Sequence, residues 1–137
     1  MNSLPNLTVL DLHETGVTGL GLKDMASFKN LTSLSLGTRR VTDATLKDLV
    51  ACKNLAKLHL YGTGITAVGL KELAALDNLT ELSLQRTQVT PEGLKELAAV
   101  KNLTKLDLYE TSVTKADVAE FQKALPKCHI WHPLRGK

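Results

Sequence analysis

Four histidines, His13, His59, His129 and His132, and two cysteines, Cys52 and Cys128, are the side chains of this sequence best suited to hold a metal or attack a substrate. A zinc site asks for three or four such ligands about 2 Å from one ion. The run Cys128-His129-Ile130-Trp131-His132 is the compact candidate, but an extended segment sends successive side chains to opposite faces, so its ligands splay apart. Neither a Walker loop, a nucleophile elbow nor a dinucleotide fingerprint occurs. The Gly-Leu pairs at Gly21, Gly69 and Gly93 belong to helix starts. No metal, cofactor or catalytic constellation is expected, and the chain reads as a non-enzyme.

Composition narrows the partners. Lys plus Arg number 17 against 14 Asp plus Glu, a net charge of +3 that is too mild to imply nucleic acid. No stretch of about 18 apolar residues is present to span a membrane. The opening Met1-Asn2-Ser3-Leu4-Pro5-Asn6 has neither the basic start nor the apolar run of a signal peptide. With that, Cys52 and Cys128 read as reduced, buried thiols in a cytoplasmic setting.

What positions these residues is a repeat. Of 137 residues 27 are leucine and 15 threonine, a skew that self-comparison explains. Leu7, Leu31, Leu55, Leu79 and Leu103 recur every 24 residues without an insertion. Leu10, Leu34, Leu58, Leu82 and Leu106 keep step, as do Leu12, Leu36, Leu60, Leu84 and Leu108, and then Val17, Val41, Ile65, Val89 and Val113. The Leu-x-Leu step has the period of a strand. Later in each unit the period lengthens, with Leu22, Leu46, Leu70, Leu94 and Val118 followed three residues on by Met25, Leu49, Leu73, Leu97 and Phe121, the apolar face of a helix. Five units thus run from about 4 to 123 in a single domain, 1–137, with a C-terminal cap over 124–137.

Polar residues punctuate the unit. Thr18, Thr42, Thr66, Thr90 and Thr114 stand where a helix N-cap is needed, and Thr90-Pro91-Glu92 adds the residue favoured at the first helical position. Asn6, Asn30, Asn54, Asn78 and Asn102 precede the first leucine of each unit; the expectation is a turn residue that tolerates left-handed backbone and bonds neighbouring amides. Thr15, Thr63, Thr87 and Thr111 mark the exit from each strand, where a hydroxyl would satisfy turn backbone. The second unit has Arg39 there, with Thr38 beside it as the substitute hydroxyl or the guanidinium leaning outward.

The pattern Leu-x-x-Leu-x-Leu-x-x-Thr-x-Val-Thr-x-x-Gly-Leu-Lys-x-Leu, seen from Leu79 to Leu97, resembles the leucine-rich repeat in a 24-residue bacterial-type form, similar to the ribonuclease-inhibitor-like and GALA-type groups. The resemblance covers nearly the whole chain. It implies an α/β solenoid, a right-handed horseshoe arc with parallel strands on the concave side and helices on the convex side, and a protein or peptide as partner. No F-box-like segment precedes the repeats, so a ubiquitin-ligase role is not implied. Physics concurs, since one unit cannot bury its leucine row alone and stacked neighbours can.

The outward strand columns are Val9, Ser33, Lys57, Glu81 and Lys105; Asp11, Ser35, His59, Ser83 and Asp107; and His13, Gly37, Tyr61, Gln85 and Tyr109. Unlike the leucine columns they vary. His13 and His59 lie two strands apart, roughly 10 Å by strand spacing, too far to share zinc. Aromatic and guanidinium groups gather toward the C-terminal half, and His59, Tyr61, Gln85, Arg86, Asp107, Tyr109 and Trp131 form the candidate protein-binding patch. In it the tyrosines offer area plus a hydroxyl, and Arg86 would pair with a partner carboxylate.

The ends differ. Ile130 falls one period beyond Leu106, predicting a sixth, terminal strand whose polar and aromatic residues cover the last leucine layer. Cys128 then fills core, as does Cys52 in the column of Phe28, Leu76 and Val100, about three strands away and beyond disulfide reach. At the start, no helix or polar cap stands before the first strand, leaving an open edge. The expectation there is a fragment of a longer array, or a homo-oligomer joined through the N-terminal edge.

Overall fold

The computed structural model describes residues 6–13 and 28–132. Within them run β1 (Val9–His13), β2 (Ser33–Gly37), α1 (Asp43–Leu49), β3 (Lys57–Leu60), α2 (Ala67–Glu72), β4 (Glu81–Ser83), α3 (Pro91–Leu97), β5 (Lys105–Asp107), α4 (Lys115–Ala124) and β6 (His129–Trp131). The strands form one open parallel sheet in chain order. Its register is the sequence period: Leu10 pairs Leu34, Leu34 pairs Leu58, Leu58 pairs Leu82, Leu82 pairs Leu106, and Leu106 pairs Ile130. The expected sixth strand is therefore present. Thr15, Val17, Thr18, Leu22 and Met25 of the first unit, and the segment before Asn6, lie outside the described residues.

Parallel strands joined through helices put every inward leucine into one layer between sheet and helices. Leu34, Leu36, Leu58, Leu60, Leu84, Leu106 and Leu108 are wholly buried, as are Leu46, Leu49, Leu70, Leu73 and Leu97 from the helix side. Cys52 and Cys128 are buried, with no disulfide between them, and fill this layer. Helices α1 to α3 have seven, six and seven residues, too short to persist alone. Burial of one face, with the caps, holds them. The hydroxyls of Thr66, Thr90 and Thr114 accept from first-turn amides, Asp117 answers Thr114 in a capping box, and Thr45 accepts from the Thr42 amide. Asp43 adds a link between units: its carboxylate accepts from the amide and hydroxyl of Thr66, the next helix's cap. Gly69 leaves the room, since a Cβ there would lie 2.3 Å from that carboxylate.

The asparagines act differently from the expectation. Asn54, Asn78 and Asn102 donate through Nδ2 to the carbonyls of Lys29, Lys53 and Asp77, at 2.7, 3.1 and 2.7 Å, so each ties its own turn to the corresponding turn of the preceding unit. Positive φ falls instead on Gly62, Arg86 and Glu110, one residue beyond the last outward column. Thr63, Thr87 and Thr111 donate to the carbonyl three residues back and close the strand-exit turn. In the second unit Thr38 supplies the hydroxyl, accepting from the Arg40 amide at 3.3 Å, while Arg39 is exposed. A further ladder escaped the sequence reading: Thr32, Thr80 and Thr104 donate hydroxyls to the carbonyls of Thr8, Ala56 and Thr80 in the preceding unit.

The cap also departs from expectation. Phe121, Leu125 and Cys128 close the last layer, with Ile130 half-buried beside them. Trp131 does not cover it. One step along a strand reverses the side chain, so burying Ile130 turns Trp131 outward, where it is 47% exposed. Gln122 fastens the cap by donating to the carbonyls of Leu125 and Cys128.

Candidate functional site

Even-numbered strand leucines point inward, so the odd-numbered residues of each strand build the opposite face. They border a concavity of about 550 Å³ whose lining includes Asp11, His13, Ser35, His59, Tyr61, Glu81, Gln85, Lys105, Asp107 and Trp131. Five of the seven expected patch residues, His59, Tyr61, Gln85, Asp107 and Trp131, therefore share one basin. Arg86 and Tyr109 stand outside its lining.

His59 sits at the centre, held on both ring nitrogens. Its Nε2 lies 3.1 Å from Glu81 Oε2 and its Nδ1 3.4 Å from the Ser35 hydroxyl. A carboxylate only accepts, so Nε2 carries the proton and, in the neutral ring, Nδ1 accepts from Ser35. The Ser35-His59-Glu81 row has the residue types of a hydrolytic triad. It lacks the setting, because Ser35 sits on a regular interior strand whose amides pair across the ladder, rather than on a tight turn with free amides to receive an oxyanion. Glu81 is also 3.9 Å from Lys105 Nζ, so the row serves to fix a polar floor.

Toward the strand exits the outward column becomes an aromatic row. Gly37 has no side chain, and a Cβ there would lie 2.1 Å from His13 Nδ1. His13 folds across that space and meets the Tyr61 ring edge-on at 5.1 Å. From the other side Arg86 places its guanidinium 5.5 Å from the Tyr61 centroid, a cation–π geometry. The Arg86 Nε donates to Glu110 at 2.9 Å, and that hydrogen bond, with the carboxylate's charge, raises the guanidinium pKa above its ordinary value. Arg86 thus already holds a carboxylate of its own chain through Nε, and the Tyr61 ring is largely engaged within the molecule. Tyr109 is 44% exposed. Asp107 accepts from the Tyr109 amide at 3.0 Å and from the Gln85 side chain.

Sequence reasoning left His13, Ser35, Glu81 and Glu110 out of the patch. Their signal was the period: Glu110 lies 24 residues after Arg86, and His13, Gly37 and Tyr61 share one column, so stacking alone brings them together. At the cap, His132 Nε2 donates to the Val113 carbonyl at 2.8 Å while His129 lies edge-on to Trp131 at 4.2 Å, which separates the two histidines. Among the described residues no group of three or more His, Cys, Asp or Glu is disposed to hold a metal. Burial raises the Cys52 pKa and pushes Cys128 up to about 11, so both thiols stay protonated and inert near neutrality.

Six parallel strands stacked in chain order, with helices behind them and a 24-residue period, constitute a leucine-rich repeat solenoid of α/β class. A leucine-rich repeat family model matches residues 76–98. Among solved structures, a leucine-rich repeat protein of Leptospira interrogans is 24% identical, with a TM-score of 0.55 over 94% of this chain and 38% of that one. Internalin C2 of Listeria monocytogenes is 20% identical, with a TM-score of 0.52 over 95% of this chain and 73% of its own. A second Listeria monocytogenes internalin is 16% identical, with a TM-score of 0.51 over 98% of this chain and 52% of that one. No curated protein matches the chain. The chain thus spans about two fifths of the Leptospira protein and half of the second internalin.

Proposed function

We propose that this chain is a non-catalytic protein-interaction module that presents its concave strand face to a protein or peptide. Leucine-rich repeat proteins are commonly interaction modules and generally non-enzymatic scaffolds. The observation that carries the reading for this chain is the basin of about 550 Å³, floored by fixed polar side chains and bordered by the exposed Trp131. A pre-organised floor lowers the entropy lost on binding, and an exposed indole beside hydrogen-bonding groups suits an interface anchor. Two cysteines held in no disulfide favour a cytoplasmic setting, and neither nucleic acid nor a membrane is assigned as partner.

A photo-activatable residue at Ser83, on the basin floor, and another at Glu92, on α3, test this in the source organism. The expected result is one discrete protein adduct from position 83 and none from position 92, with purified adduct partner losing affinity for Ser35→Arg and Ser83→Arg variants. Adducts from position 92 alone would overturn the proposal. A second reading, self-association through the N-terminal edge, is favoured by Leu10 being half-buried where Leu34 and Leu58 are wholly buried. Light scattering across a concentration series tests it, and a constant monomer mass would dismiss it.

A further inference from the structure

We infer that Asp107, Trp131 and Tyr109 form a subsite for a cationic side chain, arginine above lysine, projecting from the bound protein or peptide. The inference rests on the strand face being the binding face, and it names what that face reads.

Among the described residues, two outward acids that line the basin carry no ion pair, Asp11 and Asp107, and Asp107 is the one in register with an exposed indole. Glu81 is met by Lys105 and His59, and Glu110 by Arg86. Asp107 has neutral donors alone, the Gln85 side-chain amide and the Tyr109 backbone amide, and no cation is paired with it among the described residues. One hydrogen bond on each oxygen leaves acceptor capacity, since a carboxylate can take about four. Asp107 pairs in register with Trp131, so the indole rises from the adjacent strand about 4.8 Å away. Tyr109 follows two residues beyond Asp107, and both rings are open, at 47% and 44% exposure. His129 packs edge-on to the indole at 4.2 Å and restrains it.

The molecule contains the filled version of this arrangement. Arg86 lies 5.5 Å from the Tyr61 centroid and 2.9 Å from the Glu110 carboxylate, a guanidinium shared between an aromatic ring and an acid. Asp107 with Trp131 and Tyr109 repeats those two ingredients, with no guanidinium between them among the described residues. Arginine fits better than lysine because its planar fork meets a carboxylate with two bonds and stacks on an indole, whereas an ammonium is a compact, strongly hydrated point charge.

The test uses the single tryptophan of the chain, whose indole N–H gives one NMR cross-peak within the subsite. The probes are acetyl-Ala-Ala-X-Ala-Ala-amide peptides with X as arginine, lysine, citrulline or glutamate. The expected result is a saturable indole shift with arginine, a weaker one with lysine, and none with citrulline or glutamate. Asp107→Asn, which keeps an acceptor for Gln85, should weaken the arginine probe about tenfold, as loss of a charged hydrogen bond implies, while Glu92→Gln changes nothing. Equal binding of citrulline, or an unchanged Asp107→Asn variant, would overturn the subsite. The two readings fail separately. A cross-linked partner that ignores Asp107→Asn removes the subsite and leaves the strand face. Adducts from α3 alone, beside an Asp107-dependent arginine probe, would remove the strand-face reading and leave a cation site.

Discussion

The two faces of the sheet follow opposite rules. Inward, each position repeats its residue type through successive units, and Leu34, Leu58, Leu82 and Leu106 are all buried to 1% exposure or less. Outward, one step along the same strands, Ser35, His59, Ser83 and Asp107 share register, yet each differs in type from its neighbour on the next strand. Stacking is nearest-neighbour, so a column stays stable when each member fits the next, and repetition of leucine is the plain solution. The outward column is free of that demand. Stability therefore lies in the positions that recur, and discrimination in those that do not.

The largest expected break follows directly. Leu82→Ala removes a fully enclosed side chain between two identical neighbours and should cost about 2–5 kcal/mol, whereas Ser83→Ala, its outward neighbour, should stay within about 0.5 kcal/mol. Urea unfolding followed by far-ultraviolet circular dichroism measures both. Similar costs at the two positions would erase the distinction between the faces.

The turn ladder sharpens it at an intermediate scale. Asn102 donates to the Asp77 carbonyl at 2.7 Å, and removing one exposed hydrogen bond costs about 1 kcal/mol. Asn102→Ala should lower stability by that amount in urea. Asn102→Asp should cost more, because a carboxylate placed against a carbonyl has no proton to give. A turn residue chosen for its own backbone would tolerate aspartate well, so an unchanged Asn102→Asp midpoint would return asparagine to that role.

Legibility in the sequence followed the same division. The leucine columns, strand register, helix caps and sixth strand were all readable, because each rests on a local preference multiplied by a fixed period. The asparagine was misjudged because its partner lies 25 residues back, and turn propensity reports on the residue's own backbone. Trp131 was assigned both to the cap over the leucine layer and to the outward patch, two faces that one side chain cannot serve, and its parity with Asp107 on the paired strand sends it outward. The patch was legible as columns, while its pairings were not. That Arg86 is matched by Glu110 and covers Tyr61 depends on rotamers and on the positive φ at Arg86 and Glu110, which charge counting along columns does not resolve.

The smallest effect concerns the hydroxyl ladder at the strand starts. Thr32, Thr80 and Thr104 each donate to the preceding unit at 3.1 to 3.3 Å, and Ala56 occupies the same position in the third unit with no hydroxyl to offer. Its target is in place, since the Thr32 carbonyl accepts from the Ala56 and Lys57 amides at 2.8 and 2.9 Å, as the Thr8 and Thr80 carbonyls accept from their own successors. Sharing a carbonyl with two amides makes the third bond weak. Ala56→Thr should stabilise by about 0.5 kcal/mol, the low end for a net hydrogen bond. Ala56→Val supplies the β-branched shape without the donor. If valine raises the urea midpoint as much as threonine, the gain belongs to strand preference and the ladder contributes nothing; if threonine alone does, the repeating face extends by one polar column that hydrophobic periodicity could not reveal.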